Sequence, residues 1–230
     1  MDREKLIIGD IPAILWGAHS ERLYIHVHGK MSRKEYAEEF ALIAEKKGYR
    51  TLSFDLPEHG ERIGRPDKCD IRNGIRDLNI IADYAFERYE RLSLFACSLG
   101  AYFSLNSYAD RNFEKCLFQS PIVDMKRLTE NMMLWYDVTP EMLRRENEIE
   151  TPIDTLRWDS YQYILGHTEY EWNFKTSILY AGKDDLQSED SIRAFAEKYN
   201  CDLTISENSS HPFMEASDRH VVEKWLREHI

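Results

Sequence analysis

Apolar runs of strand length alternate with helix-patterned segments along most of this 230-residue chain, and that alternation restricts the fold more than any other feature. Lys5 to Trp16 reads as two short strands turned at Gly9-Asp10, and Arg22 to Val27 as a third. Ser32-Arg33-Lys34-Glu35 is a capping-box signature, after which Tyr36, Phe40, Ile43 and Ala44 recur at helical spacing. Gly48 stops that helix, and Thr51 to Phe54 is the next strand. A polar loop from Asp55 to Asp70 precedes a helix through Leu78, Ile81, Ala82 and Ala85. Further strands are Leu92–Phe95, Cys116–Phe118, Ser177–Tyr180 and Cys201–Ile205, with helical segments after the first, between the last two and at the C-terminus. Strands joined through helices pair in parallel by right-handed crossovers and are covered on both faces. The expected class is therefore α/β: a mostly parallel, twisted sheet of about eight strands, with the two opening strands as an antiparallel edge.

From Asp124 to Trp172 the pattern turns mainly helical and the strands cease. Thr139-Pro140-Glu141 starts one helix there, with proline at its first position, where a missing N–H costs nothing. This divides the chain into a core of residues 1–123 and 173–230 and an insertion of residues 124–172. The insertion is rich in large side chains, among them Met132, Met133, Trp135, Trp158 and Tyr161, which can wall an apolar pocket or simply hold the helices onto the sheet.

The formal net charge of -11 argues against a nucleic-acid or anionic-membrane binder, since both need a basic surface. No apolar run approaches the roughly 20 residues of a membrane span. The charged start, Met1-Asp2-Arg3-Glu4-Lys5, does not read as a signal peptide. Four scattered cysteines (Cys69, Cys97, Cys116, Cys201) suit a reducing cytoplasm and a framework without disulfides. No clustered His, Cys and carboxylate spacing calls for a metal, and no cofactor is expected.

In open parallel sheets, active groups gather in the loops at the carboxyl ends of the strands. The strand Leu92–Phe95 leads into Ala96-Cys97-Ser98-Leu99-Gly100 and at once into a helix. Strand, small residue, serine, glycine, helix is the layout of a nucleophile elbow, a turn so sharp that only small residues fit on either side of the serine. Read instead with Cys97 at its centre, the same turn would have the bulky Phe95 and Leu99 as flanks, which do not fit. The other strand ends carry His28-Gly29-Lys30-Met31, Asp55-Leu56-Pro57-Glu58-His59-Gly60, Gly182-Lys183-Asp184-Asp185 and Glu207-Asn208-Ser209-Ser210-His211-Pro212.

Taken together and in this order, these motifs resemble the α/β-hydrolase superfamily, from about residue 5 to the C-terminus. The departure is Ala96 where glycine is commonest, one extra methyl that family members tolerate. The resemblance implies a nucleophile–acid–histidine order, with Ser98 as nucleophile and His211 as base. His211 lies in a polar loop after the last strand, and Pro212 disfavours helical geometry at it. Asp184 and Asp185 both qualify chemically as the acid; the family's spacing of three residues after the strand-end glycine points to Asp185. The oxyanion donors would be the N–H groups of Leu99 and, by analogy with the family's His-Gly motif, Lys30, with Met31 as runner-up. His28, Asp55 and His59 are expected to build loops rather than react. The insertion corresponds to a helical cap.

The implied activity is hydrolysis of carboxylic esters or thioesters of a small or acyl-chain substrate through an acyl-enzyme. Amide cleavage and acyl transfer use the same groups, and a non-catalytic binding or scaffold member of the fold is the reading from another class.

Overall fold

A computed structural model describes all of residues 1–230. The elements, in chain order, are β1 (Arg3–Ile8), β2 (Ile11–Trp16), β3 (Arg22–Val27), α1 (Glu38–Lys46), β4 (Arg50–Phe54), α2 (Ile71–Phe86), β5 (Arg91–Cys97), α3 (Leu99–Ser107) and β6 (Cys116–Gln119). They continue with α4 (Met125–Trp135), α5 (Pro140–Glu146), β7 (Glu148–Glu150), β8 (Thr155–Arg157), α6 (Trp158–Gly166), β9 (Thr176–Ala181), α7 (Glu189–Lys198), β10 (Asp202–Ser206) and α8 (Asp218–His229).

Eight strands form one sheet in the order β1-β2-β4-β3-β5-β6-β9-β10. β2 runs antiparallel to both β1 and β4, and every other pairing is parallel. The α/β sheet with an antiparallel edge is thus the one expected from the alternation. Because successive side chains of a strand point to opposite faces, each central strand feeds two cores. Leu23, Ile25, Leu94, Phe118 and Ile178 pack with α2, α3 and α7. Tyr24, Phe95, Leu117 and Leu179 pack with α1 and α8. From β3 the chain steps to β4 on one side and then crosses back to β5 on the other. The carboxyl ends of β3 and β5 therefore flank a topological switch point, the crevice where doubly wound sheets place their sites.

Two local expectations are corrected. The Ser32–Glu35 capping box does not form: the chain enters α1 through a 3-10 turn at Lys34–Ala37 whose N-cap, Arg33, makes no side-chain cap bond. A tertiary pair takes over, with Lys34 N–H donating to Asp55 Oδ1 (2.9 Å) and Lys34 Nζ to Asp55 Oδ2 (2.6 Å), both side chains buried. The segment between β6 and β9 also contains strands, the hairpin β7–β8, with Ile149 paired to Leu156. Each of its strands has only three residues, one of them apolar, too short a run for alternation to register. Leu156 is buried in the main core, which gives the hairpin its anchor.

Arg62, in the loop after β4, and Asp77 of α2 form an ion pair with both side chains fully buried. Removing one partner of such a pair leaves an uncompensated charge in the interior. Asp77→Ala is expected to lower the unfolding free energy by about 3–5 kcal/mol, measured by urea denaturation; a loss under 1 kcal/mol would contradict this.

Candidate active site

Ser98 sits between β5 and α3 with φ 49° and ψ −118°, a backbone conformation that L-residues other than glycine seldom adopt. The sheet holds it there: its N–H donates to Gln119 O (3.1 Å), and its carbonyl accepts from Ala101 and Tyr102 in α3 and from Ile122. Two residues on, a Cβ at Gly100 would lie 2.5 Å from His28 O and 2.8 Å from Val27 O, so no larger residue lets the helix start this close to β3. The small residue expected there from the sequence is thus required by the β3 backbone.

Ser98 Oγ is 2.8 Å from His211 Nε2, and His211 Nδ1 is 2.7 Å from Asp184 Oδ2. A continuous chain of hydrogen bonds therefore links a hydroxyl, an imidazole and a carboxylate across 113 residues of sequence. The carboxylate that meets His211 belongs to Asp184, whereas family spacing had pointed to Asp185. Asp184 N–H donates to Ala181 O (3.0 Å), closing a turn that points the second residue after Gly182 inward and leaves Asp185 exposed. The turn is held tight because a Cβ on Gly182 would meet Glu207 Cα at 2.8 Å. The other Asp184 oxygen accepts from the N–H groups of Leu186 (2.8 Å) and Gln187 (3.0 Å), so a fully buried carboxylate has a donor on each oxygen.

Leu99 and Lys30 line the same cavity as Ser98. Leu99 opens the first turn of α3, where backbone donors have no intrahelical acceptor. In the loop after β3, Met31 N–H donates to His59 Nε2 (3.0 Å), whereas Lys30 N–H has no acceptor within the protein. Of the two candidates in that loop, only Lys30 has its donor free. The Lys30 side chain forms an ion pair with Asp154, in the loop of the β7–β8 hairpin.

His28 and His59 brace these loops. His28 Nε2 accepts from Leu56 N–H (3.1 Å), so its Nδ1 carries the proton and donates to Gly29 O (2.7 Å). His59 repeats the pattern, with Nδ1 donating to Pro57 O (2.7 Å). Burial drives the His28 imidazole down to about 4 against the opposing effect of its bond to Gly29, and lowers His59 for the same main reason. Burial likewise pushes the Cys97 thiol up to about 12, aided by the Asp184 charge, so this cysteine is not a thiolate nucleophile. No group of three or more His, Cys or carboxylate side chains is arranged to hold a metal ion.

Sequence reasoning missed the residues that position this chain. Asp218, buried at the start of α8, accepts from Ser209 Oγ (2.6 Å) and Glu215 N–H (3.1 Å) and so ties down both sides of the His211 loop. Gln119 Nε2 donates to Pro212 O (2.9 Å). The buried Gln187 side chain accepts from Val123 and Asp124 N–H, joining the acid loop to the segment after β6. These contacts span 3 to 93 residues and follow no sequence period.

The chain superposes over nearly its whole length on solved structures of one fold. The chain has the α/β-hydrolase fold. Est1E from Butyrivibrio proteoclasticus, in its complex with ferulic acid, superposes with a TM-score of 0.82 at 16% identity, over 98% of this chain and 96% of that one. The mouse alpha/beta hydrolase domain-containing protein 10 superposes at 0.76 with 13% identity (99% and 98% covered). The monoacylglycerol lipase of Paleococcus ferrophilus does so at 0.67 with 15% identity (96% and 99% covered). No protein-family model matches the sequence, and neither does any curated protein sequence. No helix of this α/β-hydrolase fold is long and apolar enough to cross a membrane.

A cavity of about 130 Å³ opens beside Ser98 and Leu99, walled by Tyr102 and Phe103 of α3 and by Met132, Leu156 and Tyr161 from the segment after β6. A wider groove of about 490 Å³, lined by Lys30, Met31, Arg33, Tyr36, His59 and Ile63, shares Lys30 and Cys69 with it.

The buried histidines make stability depend on pH. His26 is lowered by burial to about 3, and His28 to about 4, against 6.5 for an ordinary histidine. As pH falls below 6.5 the unfolded chain takes up protons that the folded rings refuse, so stability is full above pH 7 and declines on the way down to pH 4. Each of these two rings contributes a loss of about 2–3 kcal/mol. Urea denaturation at pH 7 and pH 4.5 measures the sum, and NMR should find His28 still neutral at pH 5; a ring that titrates near 6.5 would refute the account.

Proposed function

We propose that this protein is a serine hydrolase that cleaves carboxylic ester or thioester bonds of small-molecule substrates through an acyl-enzyme intermediate. The observation that carries the reading is the Ser98–His211–Asp184 hydrogen-bond chain, built on a serine in a strained turn at the switch point of the sheet. A serine hydroxyl is a weak nucleophile until a base takes its proton. His211 Nε2 is within reach of that proton, and Asp184 holds the ring with Nδ1 protonated, so that Nε2 is the free acceptor.

Ser98 Oγ attacks the acyl carbonyl as its proton passes to His211 Nε2. Negative charge gathers on the carbonyl oxygen, which accepts from the N–H groups of Leu99 and Lys30; the reading is supported by neither N–H having an acceptor within the protein. The imidazolium, paired with the buried Asp184, then gives its proton to the leaving oxygen or sulfur, and the C–O or C–S bond breaks. Water, activated by His211, attacks the acyl-Ser98 ester; a second oxyanion forms and collapses, and the acid leaves as Ser98 recovers its proton. Residues 124–172 act as a cap, since Met125, Leu128, Met132, Leu156, Tyr161 and Ile164 from that segment wall the cavity into which Ser98 projects. An ester as substrate gains support from the shared fold with a protein named as a monoacylglycerol lipase.

Ser98→Ala is expected to lower kcat/KM for nitrophenyl esters by at least about 10⁴-fold while the protein stays folded, and to abolish labelling by a fluorophosphonate. Unchanged hydrolysis in that variant would overturn the mechanism, and no labelling of the folded wild type would favour a binding module instead. Asp184→Asn is expected to lower kcat by about 10³–10⁴-fold, whereas Asp185→Asn stays within about twofold of wild type. The reverse ranking would return the acid to Asp185.

A further inference from the structure

The wall of the Ser98 cavity contributed by β8 and α6 sets the polar Thr155, Arg157 and Ser160 beside Leu156, Tyr161 and Ile164. Arg157 ends β8, and its side chain is 8% exposed. It lies 3.4 Å from Glu148 through Nε and 3.8 Å from Glu58 through a terminal nitrogen. Neither contact has hydrogen-bond geometry: Arg157 Nε is buried without a partner. Three residues on, Ser160 Oγ is also buried without a partner, and both residues line the cavity. Buried guanidinium groups are ordinarily held by well-aligned bonds to a carboxylate, and a buried donor left unpaired costs about 1–3 kcal/mol. An unpaired buried Nε also occurs at Arg22, Arg50, Arg62 and Arg111, but of these five arginines only Arg157 lines the Ser98 cavity.

Size restricts what could complete Arg157. A cavity of about 150 Å³ holds a benzene molecule, so the 130 Å³ beside Ser98 takes a group of that size or slightly smaller. The acyl part must occupy it, because it stays bonded to Ser98 Oγ after the leaving group departs, and Ser98 lines this cavity and not the wider groove.

We propose that Arg157, with Ser160 beside it, binds an oxygen acceptor at the far end of a short acyl group, so that the preferred substrates are esters of small oxygen-substituted acids. This rests on Ser98 being the nucleophile. The acceptor is a carboxylate or a neutral ether or carbonyl oxygen. Arg157 attracts the first by charge, while the nearby Glu58 and Glu148, with Asp70 and the Lys30–Asp154 pair on the same cavity wall, temper that charge and admit the second. Arg157 is a specificity residue on this reading and takes no part in the bond-breaking steps.

The test compares nitrophenyl pentanoate, nitrophenyl 4-methoxybutanoate and the mono-nitrophenyl ester of glutaric acid, on the full-length protein and on Arg157→Met. At least one oxygen-bearing ester is expected to exceed pentanoate about tenfold in kcat/KM with wild type, and that ratio should fall toward one in a folded Arg157→Met. A lead for the glutarate identifies a carboxylate, and a lead for the methoxy ester a neutral oxygen. Pentanoate equal to or ahead of both with wild type, or a ratio that survives in Arg157→Met, would overturn the proposal. Should Arg157→Met fail to fold, Arg157→Gln, which loses both the charge and the fork, takes its place with the ratio read the same way. Hydrolysis of none of the three, with no fluorophosphonate label on Ser98, would instead sink the serine-hydrolase reading beneath it.

Discussion

The contact on which the functional end of the molecule depends is the approach of the first turn of α3 to the last carbonyls of β3. With no side chain at Gly100, α3 starts against the backbone of Val27 and His28, and the chain between β5 and α3 has only Ser98 in which to reverse. That crowding holds Ser98 at a positive φ, a conformation costing about 1–3 kcal/mol that the six-residue β3–β5 ladder and the start of α3 sustain. The turn brings the hydroxyl to His211 and sets Ser98 against the loop after β3, where a Cβ on Gly29 would lie 3.1 Å from Ser98 Cβ. A wider gap between β3 and α3 would relax the turn and move every group that faces the serine.

The loops around this point are fixed by buried polar groups rather than by secondary structure. Asp55 accepts from Lys34 N–H, Lys34 Nζ and Glu61 N–H, binding the loop after β4 to the segment after β3. His28 and His59 each accept one backbone N–H and donate to one carbonyl, which keeps both rings neutral and the loops at a fixed spacing. By engaging Met31 N–H, His59 leaves Lys30 as the one of these two N–H groups without an acceptor in the protein. Such a network is exacting, because any member removed strands its partner in the interior.

Much of the arrangement could be read along the chain. Strand and helix periodicities gave the α/β sheet, its antiparallel edge and almost every element, because each rests on neighbours within a few residues. The small–x–Ser–x–Gly spacing placed Ser98, and the polar loop after the last strand placed His211, since both signals are local. In place of the capping box at Ser32, Asp55, a buried carboxylate 21 residues from Lys34, holds this segment through the Lys34 N–H and Nζ. The hairpin β7–β8 escaped notice because three-residue strands carry no measurable period. Asp184 was displaced by one residue because spacing measured from Gly182 cannot see how a turn aims its side chains.

By itself the sequence determined the order of the elements, the two faces of each strand and the serine and histidine that could react, because hydrophobic period and turn chemistry are written into adjacent residues. Only the tertiary structure decided which aspartate meets the imidazole, which N–H after β3 is left free, and that Asp218, Gln119 and Gln187 hold the loops in place. Those outcomes depend on the direction of side chains brought together from distant parts of the chain, and direction is set by packing against the sheet.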